Sequence, residues 1–171
     1  MLPRASVFRA LVILPALLWA SCGSVDPRAI LEVQQLEGYW VLDTEKSRTN
    51  YITPTIHFVV KNTSTGVVHD IEATATFRRN GEDSMWGDCF VTIANRKRPL
   101  GPGQTTSIEM RSSGDYYTPG APVEPEIMFK HGLFRDAAVD LFIRVGRSGF
   151  VKMGSLVVPR RLNRAPQAPP A

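Results

Sequence analysis

Ile71-Glu72-Ala73-Thr74-Ala75-Thr76-Phe77-Arg78 is the stretch that decides the fold. Its apolar residues Ile71, Ala73, Ala75 and Phe77 alternate without exception with Glu72, Thr74, Thr76 and Arg78. A period of two puts one face in a core and the other in water, which is the pattern of a strand in an antiparallel sheet. Asn80-Gly81 follows, a pair that tolerates positive φ and turns the chain back.

Working outward, the same alternation recurs. Ile56, Phe58 and Val60 alternate with His57, Val59 and Lys61, and Asn62-Thr63-Ser64-Thr65-Gly66 ends that strand in a turn. Tyr39 to Leu42 reads as the first strand, with Trp40 in the core. Met85 to Ile93 is the fourth strand, and Thr105 to Met110 the fifth, entered through the Pro99-Leu100-Gly101-Pro102-Gly103 corner. Ala138 to Val145 and Phe150 to Val158 flank Gly146-Arg147-Ser148-Gly149 as a final hairpin, and Val139, Leu141, Ile143 and Val145 share a face. Ser112 to Pro125, rich in Gly, Pro and Tyr and without a period, reads as a long loop. Seven short strands predict an all-β fold, an antiparallel immunoglobulin-like β-sandwich over residues 38–159.

Upstream of the sandwich the pattern changes. Asp26-Pro27 is a helix-start signal, and Ile30, Leu31, Val33 and Leu36 follow at roughly helical spacing, which predicts a short helix over 27–36 within a linker of residues 22–37. Residues 1–21 have the parts of a secretory signal: Arg4 and Arg9 in front, then the apolar run Ala10 to Ala20. That run falls short of the ~20 residues a spanning helix needs, and Pro15 interrupts it, so it is an export signal rather than an anchor.

Ala20-Ser21-Cys22 resembles the lipobox of bacterial lipoproteins, with small residues directly before a cysteine to be acylated. It departs from the usual pattern in carrying Trp19 where such boxes have Leu. The resemblance implies acylation (palmitate among the chains) at Cys22 and a membrane partner for the mature chain. Gly23 is not the Asp that marks inner-membrane retention, so the outer membrane is favoured. The alternative is ordinary cleavage between Ala20 and Gly23, which leaves Cys22 able to pair with Cys89 in an oxidising compartment.

The formal charge of +4 is carried by the ends. Arg4 and Arg9 leave with the signal, and Arg160, Arg161 and Arg164 lie in a Pro-rich tail, residues 160–171, that is expected to be disordered. Without those five the body is close to neutral, and a nucleic-acid partner, which needs a basic face with interleaved aromatics, is not expected. The one compact basic run is Arg96-Lys97-Arg98, read as a solvated loop with contact to anionic lipid as the alternative.

Val59-Val60-Lys61-Asn62-Thr63-Ser64, the strand ending Phe77-Arg78-Arg79-Asn80-Gly81, and Pro99-Leu100-Gly101-Pro102-Gly103-Gln104-Thr105 together resemble the FxLYD-type and related immunoglobulin-like domains of bacterial exported proteins. The likeness covers roughly residues 51–112 and departs at Arg78-Arg79, where the family commonly has an acidic residue. It implies a topology and is nearly silent on activity.

No nucleophile sits in a recognisable elbow, so no catalytic residue is assigned. No Gly-rich phosphate loop is present and no cofactor is expected. His57, His69 and His131 share no ligand spacing and no metal is assigned, with Glu82, Asp83 and Asp88 as the alternative for a loop Ca²⁺ site. His57 and Asp70 would be neighbours if their strands paired. Trp86, Tyr116 and Tyr117 are the candidate partner-binding residues, set against the reading that they cap the sandwich. The expectation is a cell-envelope lipoprotein acting as a non-enzymatic protein-binding or accessory module. The alternatives are a ligand carrier or hydrolase with a pocket under the 112–125 loop, and a structural subunit of an outer-membrane assembly.

Overall fold

The computed structural model describes residues 25–43, 51–117 and 125–163. The expected signal peptide, Cys22, residues 118–124 of the 112–125 loop and the tail from residue 164 lie outside them.

Two sheets face each other. The first runs β5 (Thr105–Arg111), β2 (Tyr51–Asn62), β1 (Leu31–Asp43), β9 (Leu162–Asn163), with the short β6 (Tyr116–Tyr117) also on β2. The second runs β4 (Met85–Ala94), β3 (Ile71–Arg79), β7 (Ala137–Val145), β8 (Val151–Val157). Every pairing is antiparallel except that of β9 with β1. The chain changes sheet between β2 and β3 and again between β4 and β5, which makes this the all-β sandwich that the alternation predicts. Trp40, Ile56, Phe58 and Val60 from one sheet and Ile71, Phe77, Leu141 and Ile143 from the other have no exposed surface. Full burial of such side chains supplies about 1.5 to 3 kcal/mol each, the main favourable term of the fold.

Three expectations are corrected. The helix over 27–36 is a single turn, α1 (Pro27–Ile30), capped by Asp26, and β1 begins at Leu31. The cause is a bulge: the pairing with β2 shifts between Gln34 and Glu37, and Gln35 has φ 52°. Leu31 and Val33 face the core before the extra residue, Leu36 and Trp40 after it, and one inserted residue turns a spacing of two into one that imitates a helix. The tail is ordered through Asn163: Leu162 pairs with Trp40, Arg160 binds Asp136 at 2.7 Å and Arg161 binds Glu37 at 3.2 Å. The long loop is not uniformly irregular, since Tyr116 and Tyr117 pair with Ile52 and Tyr51, and α2 (Pro125–Met128) follows.

The strand directions give the sandwich two ends. At one lie α1 and the connections 63–70, 95–104 and 146–150; at the other lie residues 80–84, 112–117, 125–136 and 158–163. The α1 end is held by Asn62, which is fully buried. Its amide donates to the carbonyls of Gly66 (2.8 Å) and Leu100 (2.9 Å), and its Oδ1 accepts from the Ser64 N–H (2.9 Å) and hydroxyl (2.7 Å). The opposite end is stitched by close backbone approach. A Cβ on Gly87 would stand 2.2 Å from Ser112 Oγ and 2.5 Å from Gly114 N, while the Ser113 N–H donates to the Asp88 carbonyl at 3.0 Å.

Asn62→Ala leaves the Gly66 and Leu100 carbonyls without that donor, and we expect a loss of about 2 to 4 kcal/mol in urea unfolding with an unchanged slope. Gly87→Ala should cost about 1 to 3 kcal/mol through overpacking against the 112–114 segment, measured in the same way.

Candidate functional site

Two surfaces concentrate functional side chains. The first is at the end away from α1. Trp40, from the core side of β1, touches Trp86 at the start of β4, Tyr116 of β6, and Phe129 and Phe134 of the segment after α2, with ring centroids 5.1–6.5 Å apart. Trp86 and Tyr116 lie 4.9 Å apart, and the Arg79 guanidinium sits over both, 5.5 and 5.8 Å from their centroids. The Tyr116 hydroxyl accepts from the Arg135 N–H and donates to the Arg135 carbonyl, both at 3.1 Å, which locks the 125–136 segment onto the cluster. Beside these half-buried rings the segment presents Leu133, 77% exposed, and Ile127, 51% exposed.

The candidates Trp86 and Tyr116 are therefore brought together, and they cap the sandwich as well as edging its surface. Tyr117 lies in β6 next to Tyr51, and its side chain is outside the described residues. Leu133 and Ile127 were not distinguished by sequence, because neighbours that look equally apolar, Met128, Phe129 and Phe134, turn inward.

The second surface is a groove of about 410 Å³ on the outer face of the first sheet, lined by Glu37, Tyr39, His57, Arg161, Leu162 and Asn163. Register places Glu37, His57 and Glu109 in one row across β1, β2 and β5. The Tyr39 hydroxyl donates to Glu109 at 2.6 Å, Arg111 donates to the same carboxylate at 2.9 Å, and His57 Nε2 is bonded to Ser107 Oγ at 2.6 Å. Burial and the Glu109 carboxylate push the Tyr39 hydroxyl up to about 12. Burial works against the Glu109 anion, but the Tyr39 hydrogen bond and Arg111 outweigh it and hold the carboxyl below its usual range. His57 and Ser107 have the contact of a base and a hydroxyl nucleophile, yet the two carboxylates that flank His57 in register are engaged elsewhere, Glu37 by Arg161 and Glu109 by Tyr39 and Arg111.

Other sequence candidates fall apart in space. His57 lies on β2 and Asp70 precedes β3 in the other sheet, so they do not pair. Glu82 faces Arg79 at 3.9 Å and Asp88 accepts from the Ser113 hydroxyl at 3.0 Å. Among the described residues no three His, Cys, Asp or Glu are grouped so as to hold a metal ion. Cys89, half-buried on β4, has no disulfide partner among the described residues, and its thiol is pushed up by burial and the neighbouring Asp88. Among the described residues no helix is long and apolar enough to cross a membrane.

No family model matches the chain, and no curated protein matches it. Among solved structures it is similar to β-glucuronidase 2 of Bacteroides uniformis, with 16% identity over 75% of this chain and 12% of that one, at a TM-score of 0.41. A protein from Archaeoglobus fulgidus is similar over 74% of this chain and 92% of that one, with 12% identity and a TM-score of 0.36. A family-20 exo-β-N-acetylglucosaminidase from Vibrio harveyi is similar over 78% of this chain and 18% of that one, with 15% identity and a TM-score of 0.21. The chain thus spans 12% of the length of the glucuronidase it matches. Likenesses this distant carry nothing about activity.

The Tyr39–Glu109 pair sets a pH dependence with two edges. A tyrosine raised in the folded state stabilises fully below its unfolded pKa of about 10 and loses that contribution as pH climbs toward about 12. A carboxyl lowered in the folded state stabilises above its unfolded pKa and loses that contribution as pH falls through its folded value. Spectrophotometric titration should show one tyrosine ionising near pH 12, and Tyr39→Phe should remove that transition while raising the midpoint of acid unfolding.

Proposed function

We propose that the chain is a lipid-anchored module of the bacterial cell envelope that binds a protein partner without catalysing a reaction. The observation that carries this reading is the opposition of the two ends. The N-terminal side of the domain emerges at α1, whereas Trp86, Tyr116, Ile127 and Leu133 lie at the far end of β1. From Leu31 to Trp40 a strand covers about 30 Å. Cys22 stands five residues before Pro27, a tether of at most about 18 Å. Acyl chains at Cys22 would hold the α1 end against the membrane and point the aromatic end away from it.

In this arrangement the tether confines the module to a layer and raises the effective concentration of a partner in the same layer. The partner meets an apolar edge, Leu133 and Ile127, beside rings held rigid by the Trp40 cluster, and rigid aromatic surface binds at low entropic cost. The outer membrane is the favoured site, because Gly23 is not the Asp that the lipobox resemblance associates with inner-membrane retention. A ligand-carrier reading is favoured by a different observation, the polar groove around Tyr39 and His57, rather than by a pocket beneath the 112–125 loop.

Mass spectrometry of the mature N-terminus should find an acylated Cys22, and Cys22→Ser should release the chain into the soluble periplasmic fraction. A soluble, unacylated product beginning after Cys22 would sink the anchored reading. Leu133→Asp should abolish in-cell crosslinking to the partner while shifting stability by no more than about 0.5 kcal/mol, because the side chain is exposed. Retained crosslinking would move the contact elsewhere.

A further inference from the structure

The distribution of ion pairs differs between the two ends. Away from α1 three arginines are matched, Arg79 with Glu82, Arg160 with Asp136 and Arg161 with Glu37, and Arg135 is held by the Gly132 and Phe134 carbonyls. The sheet faces are matched as well, with Arg144 on Glu72 and with Arg78 and Lys152 both on Asp140. At the α1 end, Arg96, Lys97, Arg98 and Arg147 are exposed and form no ion pair among the described residues.

The basic run is also shaped. Asn95 and Arg98 exchange backbone hydrogen bonds at 3.1 Å, and Asn95 Oδ1 accepts from the Lys97 and Arg98 N–H groups at 2.9 Å, so a tight turn holds the three bases outward. Arg147 sits in the neighbouring β7–β8 turn, tied to this end by the Gly146 N–H donating to the Asp70 carbonyl at 2.8 Å. Two aliphatic side chains stand exposed at the same end, Val67 at 53% and Val25 at 47%. The acidic residues here are fewer: Asp26 caps α1 through the Arg28 N–H, Glu32 opposes Lys61 across β1 and β2, and Asp70 precedes β3 with its carbonyl on the Gly146 N–H.

We infer that the α1 end is a membrane-docking face, in which Arg96, Lys97, Arg98 and Arg147 engage the phosphates of an anionic phospholipid bilayer and Val67 and Val25 enter the interface. Unpaired cations beside exposed aliphatic groups match a surface that is negative at its headgroups and apolar beneath. The acyl chains proposed at Cys22 supply the attachment, and a basic surface at the same end adds contacts with the headgroups. It also fixes the orientation of the domain, because rocking the sandwich lifts those bases from the headgroups. The proposal takes its orientation from the lipid-anchored reading, while the contact itself belongs to the folded domain.

The test uses the chain from residue 22 to residue 171, which keeps every described residue, with Cys22→Ser so that no acyl chain assists. It is sedimented with vesicles of phosphatidylcholine alone or of phosphatidylcholine with phosphatidylglycerol. Binding to the anionic vesicles only, lost at high salt, is expected. Each basic residue near an anionic surface contributes about a fivefold factor, so the combined variant R96A/K97A/R98A/R147A should bind roughly a hundredfold more weakly or worse. Lys97→Glu alone should weaken binding, and Lys130→Ala, at the other end, should not. Equal binding to both vesicle types, or anionic binding unaffected by the combined variant, overturns the docking face. Since Cys22→Ser cannot be acylated, this outcome is independent of the mass-spectrometric test of Cys22, and either reading can fail alone.

Discussion

Asn62 is the constraint on which the architecture turns. A sandwich of this topology must carry the chain from one sheet to the other twice on the same side, and both crossings converge on this residue. Its side chain reaches Gly66 and Leu100, one in each crossing, and its backbone exchanges hydrogen bonds with Gln104 (3.0 Å) and Gly103 (2.9 Å). The bond to the Leu100 carbonyl is buried, where water offers no substitute, and the bond to Gly66 closes the first crossing beside it. The Val68–Leu100 bridge closes the two crossings on each other, and Leu100 is also the residue whose carbonyl Asn62 holds. The first sheet, the second sheet and the end that carries α1 are therefore registered to one another through a single amide.

How much of this was legible in the sequence depends on how local its cause is. The strand of Ile71 to Phe77 and the hairpin through Gly146 are written in alternation and turn chemistry, which a short window contains. The bulge in β1 is not. Gln35 is an ordinary residue whose positive φ arises from pairing with β2, and its effect on spacing mimics a helix. Nor was β9 readable: Leu162-Asn163 has no period, and its order comes from the open edge of β1 beside Trp40.

The functional surfaces divide in the same way. Trp86 and Tyr116 could be singled out because aromatic residues in a Gly-rich setting are unusual anywhere. The row of Glu37, His57 and Glu109 could not, since each is a plain outward position of its own strand and only the register of three strands aligns them. The basic run at residues 96–98 was visible, but its meaning was not. What changed it was its position on the same side as α1, together with the absence of carboxylate partners among the described residues there.

The pairing of β9 with β1 has a consequence for the order of events in the life of the chain. The first strand of the sandwich is completed by its last, and Trp40 receives the Arg161 carbonyl on its backbone N–H at 2.8 Å only when residues beyond 160 are present. Contacts of such long sequence separation form late, after the loop between them has been closed. A polypeptide emerging from the ribosome therefore cannot complete the edge of this sheet beside β1 until residues 161–163 have been made.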